Sequence, residues 1–323
     1  MARPPQPPPA ARTARTLSRG GRFVLYAVFS VVLVVGLLAL DAAALEANNP
    51  VTTLGHHYYL ALGNSLSFGF QPNLDFTDGF ADDVFNFLQR ANVTDLTNYA
   101  CAGETTTTMI EGGCIGRFDH HGSYFGAQLD AAIAFLQEHP GRVSPITLEI
   151  GSNDVLPDWN IATCSPNPAY TTHLDRMDHN LTQTILPELI HAVETPTGIR
   201  AGGLHLLNYY NPFARACPDS APFVNELNAH LAADAAPFGV PVIDVYAAFG
   251  GDAGMAGNVC GPRPYTWICD AQFHDPHPTT LGYQVIAHAV ELGLGLPGTN
   301  PLPGIPVPGF PDLGIREGLV ATI

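Results

Sequence analysis

The chain has 323 residues, of which 46% are hydrophobic and 13% are charged, so it can bury a substantial core and is not a disordered segment. It contains no lysine, and its 13 arginines against 29 acidic residues give a formal net charge of −16. So acidic a surface repels phosphate backbones, and we therefore expect no nucleic-acid partner.

The N-terminus predicts an export signal or a membrane anchor. Residues 1–22 form a Pro- and Arg-rich cytoplasmic lead, and residues 23–44 begin with an uncharged apolar run of 18 residues. This run is long for the core of a signal peptide and just long enough to span a bilayer. Ala42 and Ala44 offer a cleavage site, so a cleaved signal and an uncleaved anchor are both open. Either way the rest of the chain is expected to be extracytoplasmic, secreted or anchored by this segment alone.

Six cysteines are consistent with export. Their connectivity does not follow from their number, and we predict pairing between sequence neighbours because each such pair brackets one loop region. The predicted disulfides are Cys101–Cys114, Cys164–Cys217 and Cys260–Cys269. A metal site is the alternative, but no Cys-x-x-Cys motif occurs, and we expect neither a metal nor another cofactor.

Residues 52–295 are predicted to form one domain in which strands alternate with helices. Apolar runs predict five strands, at residues 58–63, 96–100, 145–151, 203–209 and 241–246. Helical periodicity marks residues 129–136 and 185–193, and a last helix is expected to begin after Thr279, a suitable N-cap. This alternation predicts a parallel sheet covered by helices on both faces. Residues 296–323 are rich in Pro and Gly and are predicted to form an extended tail.

The residues just past each predicted strand matter most, because ligands bind outside the carboxyl ends of the strands in an open parallel sheet. Ser65 follows the first strand in a turn, Gly103 follows the second strand and Asn153 follows the third. After the fifth strand and a cysteine-bearing loop, the segment FHDPHPTTLGY carries Asp275 and His277. We therefore expect these five residues at one edge of the sheet.

Together these residue types are the set that acyl transfer requires. The Ser65 hydroxyl can act as a nucleophile, His277 can accept its proton, and a carboxylate can orient the imidazole. The backbone N–H groups of Ser65 and Gly103 and the amide of Asn153 can bind an oxyanion, each such donor being worth on the order of 10²–10³ in rate. Glycine suits position 103 because the backbone can then approach a substrate closely. Without this context Ser65 would be an ordinary turn residue, and Asn153 with Asp154 would be helix caps.

The segments LGNSLSFG, AGETTT, IGSNDV and DPHPTTLGY resemble, in order, blocks I, II, III and V of the SGNH/GDSL hydrolases. The resemblance extends from residue 58 to about residue 290, nearly the whole predicted domain. It implies an α/β fold, a flavodoxin-like three-layer α/β/α sandwich with a central five-stranded parallel sheet. It also implies hydrolysis of carboxylic esters by an esterase or lipase, with Ser65, Gly103, Asn153 and His277 in the roles given above. The chain has no Gly-x-Ser-x-Gly, the motif of the α/β-hydrolase nucleophile turn.

One departure from the family pattern is the residue before the nucleophile, which is usually Asp and is Asn64 here. Asn is the same size as Asp and can still hydrogen-bond backbone groups. We therefore expect Asn64 to brace the turn, and we expect Asn64→Asp to change kcat/KM by less than about tenfold, or ~1.4 kcal/mol.

The other departure concerns the acid, which in the family usually lies three residues before the His, where this chain has His274. Asp275 lies two residues before the His. The extended backbone that Pro276 favours would place the Asp275 and His277 side chains on one face. We predict Asp275 as the acid, with Asp270 or a backbone carbonyl as the alternative.

Other functions use the same residues differently. A carbohydrate O-deacetylase or a thioesterase would share the fold and the site. An inactive glycan- or lipid-binding module usually lacks one of the reacting groups, whereas Ser65, Asn153 and His277 are all present. A metal cluster around His274 and His277 is a further interpretation. The expected partner is a small-molecule, lipid or glycan ester, and the protein is expected to be a monomer that meets a membrane only through its N-terminal segment.

Overall fold

The computed structural model of the protein describes four stretches of the chain, namely residues 57–114, 123–194, 200 and 202–296. The predicted lead, the apolar segment and the tail beyond residue 296 lie outside the described residues. Among the residues that are described, no helix is both long and apolar enough to cross a membrane.

The central sheet has the predicted five parallel strands. Within the described stretches the strands are β1 Tyr58–Gly63, β2 Asp95–Asn98, β3 Val143–Glu149, β4 Trp159–Asn160, β5 Ser165–Pro166, β6 Leu204–Leu207 and β7 Val242–Ile243. The central sheet has the order β2-β1-β3-β6-β7, and all its pairings are parallel. This is the strand order of flavodoxin-like folds. Strands β4 and β5 form a separate antiparallel hairpin.

Strands β2, β3, β6 and β7 end earlier than predicted. The third strand was expected over residues 145–151 but stops at Glu149, because Gly151 has φ +114°, a left-handed conformation that leaves the extended region. The fifth strand has two residues because the Asp244 side chain accepts the backbone N–H of Ala247 and begins a helix. Polar residues that bond to nearby backbone thus end strands that the apolar pattern would continue.

Helices connect the strands. The α-helices in the described stretches are α1 Ser65–Phe68, α2 Phe80–Leu88, α3 Thr106–Glu111, α4 Gln128–Glu138, α5 Ser152–Val155, α6 Tyr170–Asn180, α7 Leu186–Val193, α8 Ala221–Ala235, α9 Val245–Ala248, α10 Gly251–Cys260 and α11 Thr280–Gly293. The predicted helices correspond to α4, α7 and α11. The Thr279 side chain caps α11 as expected, by accepting the backbone N–H of Gly282.

The helices form a layer on each face of the sheet. Helix α2 packs against α11, whereas α4 packs against α7 and α6 packs against α8. The connection from β1 to β2 runs across the sheet in the direction opposite to the later connections. Because such crossovers are right-handed, α2 lies on the opposite face from α4, α7 and α8. All seven residues of β3 are buried, as expected for a central strand covered on both sides. The three-layer prediction is confirmed.

The disulfides join the predicted pairs, Cys101–Cys114, Cys164–Cys217 and Cys260–Cys269. All six cysteines of the chain lie in the described stretches, and none of them is free. The first bridge closes the loop after β2, and the second ties the β4–β5 hairpin to the loop after β6. The third bridge links the end of α10 to the loop that precedes Asp275. Each bridge therefore constrains a loop that follows a strand of the central sheet.

We expect the denatured, unreduced protein to take up no alkylating reagent, because it has no free thiol. Each bridge is expected to contribute ~2–4 kcal/mol, so reduction should lower the melting temperature. Intact-mass measurement with iodoacetamide checks the first expectation, and the reduced sample, which should take up six labels, is its control. Labelling of a pair without reduction would contradict the pairing described above.

Candidate active site

A tight turn after β1 presents Ser65. Gly63 has φ +123°, and a Cβ there would lie 1.9 Å from the carbonyl oxygen of Glu149, so only glycine fits between β1 and β3. The side chain of Asn64 then accepts the backbone N–H of Leu66 at 2.9 Å and caps α1. Ser65 is the first residue of α1 and is 7% exposed. The turn thus fixes a hydroxyl at the carboxyl end of the first strand.

Ser65, His277 and Asp275 form a continuous hydrogen-bonded chain. Ser65 Oγ lies 2.7 Å from His277 Nε2, and His277 Nδ1 lies 2.6 Å from Asp275 Oδ1. The backbone N–H of His277 donates to the same Asp275 oxygen at 2.8 Å. An ionised carboxylate can only accept, so Nδ1 carries a hydrogen and Nε2 is free to accept the Ser65 proton.

The charge state of Asp275 fits this arrangement. Burial raises the pKa of Asp275, but hydrogen bonds from His277 and its charge outweigh burial and leave the pKa below the ordinary value. Asp275 is therefore an anion at neutral pH, able to fix the imidazole tautomer and to stabilise an imidazolium.

Asp270 and His274, the other two side chains considered for the triad acid, are not hydrogen-bonded to the His277 ring. Asp270 Oδ1 accepts the backbone N–H groups of Gln272 and Phe273 at 2.8 and 3.1 Å, so it caps its own turn. His274 is exposed and has φ +49°. Of the three side chains considered from the sequence, only Asp275 contacts His277.

The loop that carries Asp275 and His277 is fixed by its neighbours. The backbone of Trp267 donates to the carbonyl of His277 at 3.0 Å and accepts the N–H of Asp275 at 3.2 Å. The buried hydroxyl of Tyr210 donates to the carbonyl of Pro276 at 2.7 Å. No sequence pattern indicated its bond to Pro276, because the two residues meet only in the folded chain.

The candidate oxyanion donors occupy neighbouring loops. Gly103 has φ +88°, and a Cβ there would meet nothing within 4 Å. The left-handed backbone conformation favours glycine at this position, and the close approach of a substrate stays a prediction. Asn153 Nδ2 donates one hydrogen to the carbonyl of Glu104 at 3.0 Å, which leaves its second hydrogen for another acceptor. Asn153 lines one cavity together with Ser65 and His277, whereas Gly103 does not line it.

Buried polar side chains hold these loops together. Gln128 accepts the N–H of Gly63 at 2.6 Å, donates to its carbonyl at 2.9 Å and also donates to the Glu104 carboxylate at 2.8 Å. Asp154 accepts the backbone N–H and the hydroxyl of Thr106 at 2.9 and 2.6 Å. Asp154 therefore caps a helix, as the alternative interpretation supposed, but the helix is α3 in the loop that contains Gly103.

Residues 61–285 match the family model of the GDSL-like lipase/acylhydrolase family. The chain belongs to this family. The GDSL-like chain is accordingly a carboxylic ester hydrolase, as the resemblance of its sequence blocks implied. Among curated protein sequences, none matches the chain.

Several solved structures are similar to this GDSL-like hydrolase at low sequence identity. A lipase from a goat rumen metagenome is 20% identical with a TM-score of 0.50, and the match covers 73% of this chain and 97% of that one. An extracellular lipase from Streptomyces rimosus is 16% identical with a TM-score of 0.47, covering 73% and 99%. An acetylxylan esterase from Geobacillus stearothermophilus is 15% identical with a TM-score of 0.49, covering 75% and 96%.

A small apolar cavity opens beside Ser65 in the GDSL-like hydrolase. Its volume is about 80 Å³, and its apolar lining residues are Leu66, Leu156, Pro212, Val224, Leu227 and Pro276. Tyr209 and Tyr210 line the same cavity, so they are both buried and pocket-forming. A larger cavity of about 230 Å³ lies between α2 and α11, and none of the predicted site residues lines it. The smaller cavity is the better candidate for a substrate because the reactive groups open into it.

Metal-binding alternatives find little support in the described stretches. Cys101, Glu104 and Cys114 are close enough to share an ion, but the two sulfurs form a disulfide and cannot act as thiolate ligands. Two further Asp–His pairs, at 2.6 and 2.7 Å, join Asp158 with His173 and Asp178 with His230. Among the described residues neither of these imidazoles is hydrogen-bonded to a hydroxyl, which distinguishes them from His277.

Proposed function

We propose that this GDSL-like hydrolase is an exported serine esterase that cleaves carboxylic esters through an acyl-enzyme on Ser65. The observation that carries the proposal is the chain of short contacts from Ser65 Oγ through His277 to the ionised Asp275. A serine hydroxyl needs such a base to become a nucleophile at neutral pH. The paired cysteines support export, since disulfides persist in oxidising compartments.

In the proposed reaction, His277 Nε2 takes the proton of Ser65 as Oγ attacks the carbonyl carbon of the ester. The resulting oxyanion accepts hydrogen bonds from the backbone N–H groups of Ser65 and Gly103 and from the free amide hydrogen of Asn153. His277 then returns the proton to the leaving alcohol, and the acyl group stays on Ser65. A water molecule, deprotonated by His277, attacks the acyl carbon, releases the carboxylic acid and restores Ser65.

The size of the cavity beside Ser65 bears on the acyl group. A cavity of about 80 Å³ with six apolar lining residues accommodates a short chain better than a long one. Short-chain esters, acetyl esters of carbohydrates among them, are therefore the proposed substrates. A thioesterase would use the same groups on a sulfur leaving group.

The test is a panel of p-nitrophenyl esters of increasing acyl length, with a thioester and an acetylated oligosaccharide beside it. We expect hydrolysis that is fastest for acetyl or butyryl esters and that stops after treatment with a fluorophosphonate. The Ser65→Ala protein gives the background rate. No hydrolysis of any member above that background would contradict the proposed function.

A further inference from the structure

A buried carboxyl group lies directly beneath the Ser65 turn. Glu149 is the last residue of β3, the only charged residue of that strand, and is 1% exposed. A lone acidic side chain buried at the end of the central strand requires a reason, because carboxyl groups are rarely buried without a partner. The proposed mechanism gives Glu149 no part in proton transfer.

Glu149 is joined to the turn through Asn64, which is itself fully buried. The backbone N–H of Asn64 donates to the carbonyl of Glu149 at 3.0 Å, and Asn64 Nδ2 lies 3.3 Å from Glu149 Oε1. The same amide nitrogen lies 3.1 Å from both Ser152 Oγ and Tyr209 OH. Asn64 Nδ2 thus lies within hydrogen-bonding distance of three oxygen atoms and can donate its two hydrogens to two of them, while its own oxygen accepts the N–H of Leu66.

Among the described residues, no cation compensates Glu149. Its contacts in the described stretches include no ion pair with Arg or His, and its second oxygen, Oε2, has no hydrogen-bond partner. The titratable groups that face it among the described residues are Tyr209, Tyr210 and Tyr283. The charge of Asp275 helps to raise the pKa of Tyr210 and of Tyr283. Burial raises the pKa of Glu149 to about 8, although hydrogen bonds from Tyr209 and Asn64 oppose the shift. The carboxyl group is therefore mainly protonated at neutral pH.

We propose that Glu149 is a positioning residue for Ser65 that acts as a neutral carboxylic acid, and that Asn64 and Glu149 form a matched pair. Asn stands before the nucleophile because its partner beneath the turn is a carboxyl group. The inference rests on the proposed function in that it takes Ser65 as the nucleophile. Asn64 keeps its two amide hydrogens for these oxygens at any pH, since an amide carries no proton that titrates.

An Asp at position 64 would place two carboxyl groups against each other. Two such groups stay together only while they share a proton, and loss of that proton leaves two buried anions. At low pH the protonated Glu149 can donate its O–H hydrogen to the carboxylate introduced by Asn64→Asp. This hydrogen bond would keep the turn that carries Ser65 in place. The tolerance of Asn64→Asp expected from the sequence should therefore hold at low pH and fail at high pH.

The test is a double-mutant cycle of Asn64→Asp and Glu149→Gln in the full chain, assayed on a short ester at pH ~6 and pH ~9. We expect Glu149→Gln alone to stay within about threefold of wild type at both pH values, because Gln is a neutral substitute for the acid. At pH ~9, Asn64→Asp should cost at least about tenfold more kcat/KM in the wild-type background than in the Glu149→Gln background. At pH ~6 the two costs should agree within about threefold. Rescue of Asn64→Asp by the Glu149→Gln substitution is not expected if Glu149 only fills space.

A stability measurement decides the role of Glu149 without any assay of hydrolysis. A carboxyl group whose pKa rises on folding favours the folded state most below its ordinary pKa, and this contribution is lost as pH rises through about 8. The melting temperature of wild type relative to Glu149→Gln should therefore fall between pH ~5 and ~9. Glu138→Gln, at an exposed glutamate of α4, is the matched control and should show no such trend.

The outcomes separate the inference from the proposed function. The matched pair would be overturned if Asn64→Asp lowered kcat/KM by the same factor in both backgrounds at pH ~9. It would also be overturned if Glu149→Gln alone lowered kcat/KM by more than about a hundredfold. In both cases the proposed ester hydrolysis would stand. A melting temperature difference that does not change with pH would overturn the neutral-acid role. Absence of hydrolysis in wild type, with the pH-dependent stability intact, would overturn the proposed function and leave Glu149 as described.

Discussion

Replacing Ser65 with alanine should lower kcat for ester hydrolysis by roughly 10⁴-fold or more. The substitution removes the atom that forms the acyl-enzyme, so only the oxyanion donors and substrate binding would be left to accelerate attack by water. The Ser65 hydroxyl is hydrogen-bonded to the side chain of His277, and the loss of this bond should leave the fold intact. Steady-state kinetics on a short p-nitrophenyl ester, with circular dichroism to verify folding, provides the measurement.

Ser67→Ala is the matched control for this experiment. Ser67 lies two residues further along α1, is fully buried, and its hydroxyl has no hydrogen-bond partner among the described residues. Removing an unsatisfied buried hydroxyl costs little, so the Ser67→Ala protein should retain nearly all activity. Ser65→Ala activity at the wild-type level, or an equal loss in the two variants, would contradict the role of Ser65.

Asp275→Asn should lower kcat by at least ~10², because an amide cannot stabilise the imidazolium and can hold His277 in the wrong tautomer. An Asp-to-Asn change in a serine protease triad costs about 10⁴. In this chain Asp275 Oδ1 accepts both the ring N–H and the backbone N–H of His277, and Asn can still accept these hydrogens but carries no charge. Measuring kcat and KM separately checks the expectation, because the change should fall mainly on kcat.

Asp270→Asn provides the comparison for the acid. Asp270 caps its own turn through the backbone N–H groups of Gln272 and Phe273, and an Asn at this position can accept the same two hydrogens. We therefore expect a loss of less than about threefold. The reverse order of losses would assign the acid to Asp270, and small losses in both variants would favour a backbone carbonyl.

Patterns along the chain were enough to predict the order and type of the main elements. The apolar runs marked all five strands of the central sheet, since buried parallel strands are continuous apolar segments. Neighbouring cysteines were predicted to pair, and they do so because each pair closes one loop region at the edge of the sheet. The functional roles of Ser65, Gly103, Asn153, Asp275 and His277 stay predictions. The hydrogen bonds from Ser65 through His277 to Asp275 are those that a triad requires, whereas Gly103 does not line the cavity beside Ser65.

The features that could not be predicted depend on contacts between distant segments. Gln128 joins the turn at Gly63 to the loop at Glu104, and Tyr210 holds the carbonyl of Pro276. Neither bond leaves a periodic or compositional signal, because each side chain would fit an ordinary helix or core position equally well. Glu149 did leave a signal, a single acid within the apolar run PITLEI, but its partner Asn64 lies 85 residues away.

A covalent adduct with a fluorophosphonate is the most direct test of the central claim, that Ser65 is the nucleophile of an ester hydrolase. The measurement is the mass of the intact protein after reaction with a fluorophosphonate, followed by peptide mapping of the adduct. The account predicts one adduct per chain, located on Ser65, formed in parallel with loss of activity and absent from the Ser65→Ala protein. An adduct on another residue, or full inactivation of hydrolysis with Ser65 unmodified, would contradict it.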